Sequence, residues 1–429
     1  MSILPPLPST FPHADPLTTL LPHLLPRLPH SLPLVRRLQF HLSSLHATVL
    51  ATFAPSLPST SKFESFAACW FGESSQSVDF SPQPPSHQVQ YSTDVKKLLA
   101  IETPYPTKCV LDTGTTYADS IDRTRRPETE CWIFSTYEIA HNKPTTNNNI
   151  LDSKANQHKI QDASTARSQL LALLLAVAET ASPLSTAESR PHIVLGSVHI
   201  SLVLLLAGDE PLPERDSLRS PQRSQPRWQG RTDSTSVLAG ASSGYIKWLI
   251  PPPRSGETEP SESEYALPPG YSFGAFQPGE LARVVASTAI PRTEATLATL
   301  GSVCVRDSGG GLVSWGFLGV DGSLSSLYTE EGGRGKGLAK AVARRLVEGV
   351  GGGSEEDGVR MGYRGVGEGE GWAHSDIEVE NKGSAAVARA IGGTVGWECR
   401  WVGVDLERVR EVVSRLYCGD RGLGELGRS

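Results

Sequence analysis

Tyr328, Thr329, Glu330, Glu331, Gly332, Gly333, Arg334, Gly335, Lys336, Gly337, Leu338 and Ala339 follow one another, and they restrict the fold more than any other stretch. An apolar, strand-like run ends here, a glycine-dense turn follows, and a helical pattern starts at once. Leu338, Val342 and Leu346 fall at helical spacing beside Ala339, Ala343 and Val347, with Lys340, Arg344, Arg345 and Glu348 on the opposite face. A strand, a glycine turn and a helix N-terminus together present a row of bare backbone N–H groups, aided by the helix dipole. Glycines keep side chains from holding an anion away from that backbone. The spacing excludes two common phosphate loops. A Walker loop needs Ser or Thr after Gly335-Lys336, where this chain has Gly337; a dinucleotide fingerprint counted from Gly335 and Gly337 ends on Lys340. What fits is Arg-x-x-Gly-x-Ala, formed by Arg334, Gly337 and Ala339.

The surroundings predict an α/β unit. Residues 302–306, 311–320 and 323–329 read as strands of an antiparallel meander, turning at Asp307-Ser308-Gly309-Gly310 and at Asp321-Gly322. Beyond the loop helix come a strand over 372–379 and a short Ala-rich helix opened by Asn381 and Ser384 and ended by Gly392-Gly393. A strand over 397–404 and a closing helix patterned by Leu406, Val409, Val413 and Leu416 complete the order.

With that order, the loop, Val313-Ser314-Trp315 and the run from Ala373 to Asn381, the chain resembles the GNAT superfamily of acyl-CoA-dependent N-acyltransferases, whose pyrophosphate loop has the form (Gln/Arg)-x-x-Gly-x-(Gly/Ala). The C-terminal half is similar to the glycine N-acyltransferase branch, over roughly residues 267–418. The resemblance implies a mixed, largely antiparallel twisted sheet flanked by helices. It implies acetyl-CoA or another acyl-CoA as co-substrate, with the pyrophosphate on the amides of Gly335, Lys336, Gly337, Leu338 and Ala339 and with Arg334 and Lys336 adding charge at the rim. Leu327, Tyr328 and Thr329 become main-chain contacts to the pantetheine arm on a strand splayed from its neighbour. Asn381 touches the cofactor; Ser384 either does so or caps its helix. The reaction implied is transfer of an acyl group, in the first place acetyl, to a primary amine of a small molecule or amino acid.

A neutral amine must attack the thioester, so a base has to remove a proton. The branch's Glu position after the turn glycine is Ser323 here, and the family's acid tyrosine, four residues after Ser384, is Ala388. His374, Asp376 and Glu378 share one strand face by alternation, either as a solvated edge or as catalytic groups; Asp376 and Glu378 are the choices for catalysis. A non-catalytic acyl-CoA-binding or scaffold protein is the alternative that Ala388 and Ser323 suggest, and a peptide amine is a second type of acceptor.

At 429 residues there is room for two domains. The reading divides them as a divergent, degenerate GNAT-like α/β domain over 1–250, a linker over 251–266 and the N-acetyltransferase domain over 267–420. The first has a helix over 34–50, strands over 65–71, 130–138, 192–206 and 245–250, and a helix over 163–180. It has no Arg-x-x-Gly-x-Ala loop of its own. Residues 142–158, 209–236 and 251–263 read as mobile insertions, the second carrying Arg215, Arg219, Arg223, Arg227 and Arg231 as a solvated linker; residues 351–371 read as a flexible connector. A net charge of −6 gives no electrostatic reason to expect nucleic acid as partner. Cys69, Cys109, Cys131, Cys304, Cys399 and Cys418 show no metal-ligand spacing and read as free thiols in a reducing compartment; no metal is expected. With Pro5, Pro6 and Pro8 there is no secretory pattern, and the longest apolar runs are too short to span a bilayer, so the protein is expected in the cytoplasm and not in a membrane.

Overall fold

The computed structural model describes residues 5–40, 47–56, 65–73, 129–141, 153–181, 192–210, 234–242, 244–252, 266–287, 292–350, 363, 366–367 and 371–418. Of two compact units, one takes in residues 1–76 and 128–429; the other, 77–127, lies outside the described residues.

Within the first unit one order of elements occurs twice. The N-terminal half runs β1 (Phe11–Pro12), short helical turns, α1 (Leu32–Gln39), β2 (Thr48–Ala51), β3 (Ala67–Glu73), β4 (Thr129–Ser135), α2 (Tyr137–His141), α3 (Ser153–Ala181), β5 (His192–His199), α4 (Ile200–Ala207), β6 (Leu238–Ala241) and β7 (Tyr245–Ile250). The C-terminal half runs β8 (Tyr271–Gly274), α5 (Glu280–Ala286), α6 (Glu294–Thr299), β9 (Gly301–Asp307), β10 (Leu312–Leu318), β11 (Leu324–Thr329), α7 (Leu338–Val350), β12 (Ala373–Glu378), α8 (Lys382–Ala390), β13 (Thr394–Asp405) and α9 (Leu406–Val413). Each half thus has, in order, a strand, helices, a three-stranded meander, a long helix, a strand and a helix; the first then ends in β6 and β7 and carries the short α2 before its long helix, and the second ends in β13 and α9. The chain is α/β, with mixed, largely antiparallel sheets flanked by helices.

The last strands are exchanged. β13 lies between β5 and β7, and β7 pairs with β12 over six residues from Ala373↔Ile250 to Glu378↔Tyr245. The nine-stranded sheet therefore draws strands from both sides of residues 251–266, while β8 to β11 form a separate four-stranded sheet. Apolar packing follows the same exchange. Val402 and Val404 of β13, with Leu406, Val409, Val412 and Val413 of α9, are buried in the core that α3 and α4 build on β3, β4 and β5. A second core lies under α1, α5 and α6, and a third lies between α7 and β9 to β12.

The meander, loop helix and closing strands stand where their periodicity predicts. Three apolar runs differ. Residues 34–50 are not one helix: α1 stops at Gln39, residues 41–46 lie outside the described residues, and Thr48–Ala51 pairs with β3, as suits β-branched Thr48 and Val49. The strand expected over 192–206 turns helical at Ile200, where His199 Nδ1 accepts the Ser201 N–H at 3.1 Å and caps the new helix. The strand expected over 130–138 stops at Ser135, and Glu138 is helical. Of the expected insertions, residues 153–158 already belong to α3, whereas 142–152, 211–233 with the five arginines, and 253–263 lie outside the described residues, as does most of 351–371. Asp209 holds the ends of the second insertion together through Thr235 N and Oγ1, both at 2.7 Å. Cys69, Cys131, Cys304 and Cys399 are free and buried.

Candidate active site

The glycine turn forms a cradle. Glu330 N donates to Val313 O at 2.8 Å, a 3₁₀ turn over Glu331–Gly333 reverses the chain, and Gly333 packs so closely that a Cβ would fall 2.6 Å from Val313 Cγ1. Gly335 and Gly337 then adopt φ of +76° and +80°, a left-handed backbone that favours glycine. An added Cβ at either would meet nothing within 4 Å, so both face open space. Leu338 is buried under β9 to β11 and anchors the start of α7. Among the described residues, the amides of Gly335, Lys336, Gly337, Leu338 and Ala339 donate to no protein acceptor, as expected at a helix N-terminus. Arg334 and Lys336 stand at the rim: Arg334 Nε donates to Thr329 O at 3.1 Å, and Lys336 Nζ donates to the Tyr271 hydroxyl at 2.7 Å.

Beside the cradle β11 parts from β12. They share one bridge, Ser323↔His374, where His374 N donates to Gly322 O at 3.2 Å, and beyond it they lie in different sheets. The result is a V whose arms end at Thr329 and Glu378. Within β11 the register to β10 jumps from Phe317↔Ser325 to Trp315↔Tyr328, so Ser326 and Leu327 stand opposite Gly316 alone. This is a β-bulge, and Ser326 has φ of +50° with its Oγ buried and unpartnered among the described residues. Of the residues expected to contact a cofactor by main chain, Tyr328 O accepts from Ser314 Oγ at 2.9 Å and Thr329 O from Arg334, while Leu327 lies on the bulge. The Tyr328 ring stacks on Trp315 at 4.9 Å, and the Leu327 side chain packs towards α7.

At the vertex the expected carboxylates separate. Asp376 Oδ1 lies 2.6 Å from Lys247 Nζ, and its Oδ2 accepts from Ser197 Oγ at 2.5 Å. The fully buried Lys247 also donates to Ser197 Oγ at 2.6 Å and to His374 Nδ1 at 3.1 Å. His374 Nε2 lies 3.0 Å from Asp321 O, and its Nδ1 lies 3.5 Å from Asp376 Oδ1. Burial alone would raise the Asp376 carboxyl, but Lys247 and His374 beside it hold it well below the usual carboxylate range. Burial likewise works against the Lys247 charge, and Asp376 reverses this and raises its pKa. A carboxylate so bound is a poor proton acceptor. Glu378, two residues on, is exposed at the open end of the V.

The remaining positions sort simply. Asn381 caps α8, its Oδ1 accepting the Ser384 N–H at 3.0 Å; Ser384 is the capped residue and not the cap. Ala388 is buried against Trp248 of the exchanged β7 and Ile377 and carries no group that could donate a proton. Sequence reasoning passed over Lys247, Ser197, Arg36 and Glu138. A lone lysine inside the apolar run Tyr245–Ile250 was the available signal for the first. Arg36 of α1 donates from Nε and Nη2 to Trp372 O at 3.0 and 2.9 Å, and its side chain covers the Gly322 turn. Glu138 accepts from Ser135 N at 3.1 Å; burial pushes its carboxyl up to about 8, against that bond and the charge of Lys247.

Among the described residues no cluster of side chains could hold a metal ion, and no helix is long and apolar enough to cross a membrane. Solved structures similar to the chain include a Drosophila protein (13% identity, 65% of this chain and 71% of that one, TM-score 0.35). Others are a GCN5-related N-acetyltransferase from Sphaerobacter thermophilus (13%, 65% and 73%, TM-score 0.29) and a tandem GNAT protein from the clavulanic acid biosynthesis pathway (12%, 92% and 97%, TM-score 0.32). No curated protein matches the chain. The family model described as the acyl-CoA N-acyltransferase verG N-terminal domain matches residues 7–248. With more than half of its length so matched, the chain belongs to that acyl-CoA N-acyltransferase family.

Proposed function

We propose that the segment 267–420 carries the acyl-transfer machinery and that it moves an acyl group, in the first place acetyl, from acyl-CoA to a primary amine of a small molecule or amino acid. The observation that carries this reading is the cradle of five amides that meet no acceptor among the described residues, at the foot of a V opened by a bulged strand. Gly335 to Ala339 hold the pyrophosphate, with Arg334 and Lys336 adding positive charge. Leu327, Tyr328 and Thr329 supply backbone along the donor's arm, and Asn381 flanks it from the start of α8. The bound thioester supplies an activated acyl carbon at the bulge. The N–H groups that the bulge turns out of the ladder stabilise oxyanion charge there.

Glu378 removes the amine proton, directly or through water, because Asp376 is held by Lys247. Asp376 then acts as a positioning residue that fixes β12 at the vertex. With Ala388 in the place of the family's acid, water protonates the leaving thiolate, a modest demand for a thiol of pKa about 8.5.

The test is calorimetric titration with acetyl-CoA, a longer acyl-CoA and free CoA, followed by thiol release over a panel of amines. Micromolar association with turnover of at least one amine supports the reading. Saturating CoA without association ends it, and tight association without turnover of any amine leaves a binding protein in its place.

A further inference from the structure

Arg37 stands in the last turn of α1 and is buried. Its guanidinium carbon lies 3.5 Å from the centre of the Trp70 ring, with the rings of Trp132 and Phe40 at 5.4 and 6.0 Å. An aromatic ring engages the face of a guanidinium and leaves the N–H groups along its edge unanswered. Nε of Arg37 is buried without an acceptor among the described residues. Burial lowers the Arg37 pKa to about 10, and the charges of Glu130 and Asp321 act against this, so the group is a cation at neutral pH. A buried N–H of a cation without an acceptor is costly, and a bound anion would remove that cost.

Arg37 lines a cleft of about 350 Å³, at the low end of the range for small-molecule sites. The cleft lies among residues 12–16, the end of α1 and strands β2 and β3. Pro12 and Ala14, which also line it, are exposed, so it is reached from solvent. Phe40, Val49 and Trp70 give it apolar walls, and none of the residues lining it is acidic. His13 belongs to the lining too, but both of its ring nitrogens are engaged, Nδ1 2.9 Å from Thr19 Oγ1 and Nε2 3.1 Å from Phe53 O. The cleft shares no residue with the cradle at 335–339 or with the V of β11 and β12.

We propose that this cleft is a second ligand site, held by Arg37 and apart from the cradle, for a small organic anion with an apolar body. A monocarboxylate fits it better than a phosphate ester. One cationic fork matches a single carboxylate in charge and shape, whereas a doubly charged phosphate ester leaves charge uncompensated against apolar walls. The inference goes beyond the acyl-transfer reading and stands independently of it.

The experiment titrates the full chain by calorimetry with cyclohexanecarboxylate, its neutral amide and cyclohexyl phosphate, with and without saturating free CoA. The carboxylate should bind in the millimolar range or tighter, as suits so small a probe, and free CoA should leave that binding unchanged. It should bind at least ~10-fold more tightly than the amide, and more tightly than the phosphate ester. Arg37→Met, which keeps an apolar stem against Trp70 and loses the charge, should erase the preference over the amide. Ala47→Leu, which keeps Arg37 and narrows the cleft beside β2, should weaken binding of the carboxylate as well, and it reads the site even if the Met variant does not fold. Equal affinity for acid and amide, tighter binding of the phosphate ester, displacement by free CoA, unchanged affinity in both variants, or no saturable association of any probe overturns the inference. None of these outcomes bears on acyl transfer, which thiol release measures separately.

Discussion

Lys247 Nζ and Asp376 Oδ1 lie 2.6 Å apart, and the two residues come from opposite sides of the link between the halves. They face each other across the β7–β12 ladder, in register at Asp376↔Lys247. The pair thus joins an exchanged strand to the vertex of the V, with Ser197 of β5 as a third member. Breaking one partner leaves an uncompensated buried charge, and the cost in such cases is about 3–5 kcal/mol. Lys247→Met alone should destabilise the protein by that order in urea unfolding, whereas Lys247→Met with Asp376→Leu should recover most of the loss. Additive effects of the two substitutions would show that no such coupling exists.

The strand exchange makes a second prediction. Residues 267–420 expressed alone lose β7, the partner of β12 along all six residues, and leave β13 without β5. Leu406, Val409, Val412 and Val413 of α9 also lose the core they fill, at about 1.5–3 kcal/mol for each side chain as an upper bound. The isolated segment should therefore show no cooperative thermal transition, while the full chain does. A sharp, reversible melt of the fragment would mean that the exchange is dispensable.

The order of elements in the C-terminal half was legible because each signal there is local. Gly310 and Gly322, at φ of +81° each, sit at the turns of the meander, and Leu338, Val342 and Leu346 keep strict helical spacing. The chemistry of the strand face was not legible. Alternation places His374, Asp376 and Glu378 on one side, but it carries no information about Lys247, which lies 129 residues from Asp376 and meets it only through the exchange. The run from His192 to Leu206 failed for a different reason: a short apolar stretch suits a buried strand and a buried helix equally, and the cap at His199 decided it. The family match lies over residues 7–248, on the half whose sequence carries no loop motif, so the signal of descent and the signal of chemistry occupy different parts of the chain.

The cradle can be tested by what a side chain would obstruct. Gly337→Val places a branched Cβ in open space at φ of +80°, so it meets no neighbour in the fold and projects from the cradle. We expect CoA to bind at least ~10-fold more weakly, beside a local backbone cost of about 1–2 kcal/mol. Arg334→Ala removes the rim charge and the contact to Thr329 O, and should weaken binding by a smaller factor. Calorimetry with free CoA reads both, and unchanged affinity in the pair would remove the cradle from the donor site.

Glu138 supplies a pH prediction whose sign can be fixed. Its carboxyl is raised by burial from an ordinary value near 4.5 to about 8 in the folded protein. The folded state therefore holds a proton that the unfolded state releases between those values, and the stability from this group is complete at low pH and is lost as pH rises through about 8. Buried His13 and His23 and half-buried His30 act in the opposite sense, because burial lowers their pKa values and the unfolded chain binds the extra protons below about 6.5. Comparison with Glu138→Gln separates the two contributions, since the amide oxygen can still accept from Ser135 N and the histidines are unchanged. The stability of the Gln variant relative to wild type should climb from pH 5 to about pH 8 and level off above it, by a total of a few kcal/mol, about 5 at most. A constant difference between the two proteins across that range would show that Glu138 keeps an ordinary pKa and that its pocket admits water.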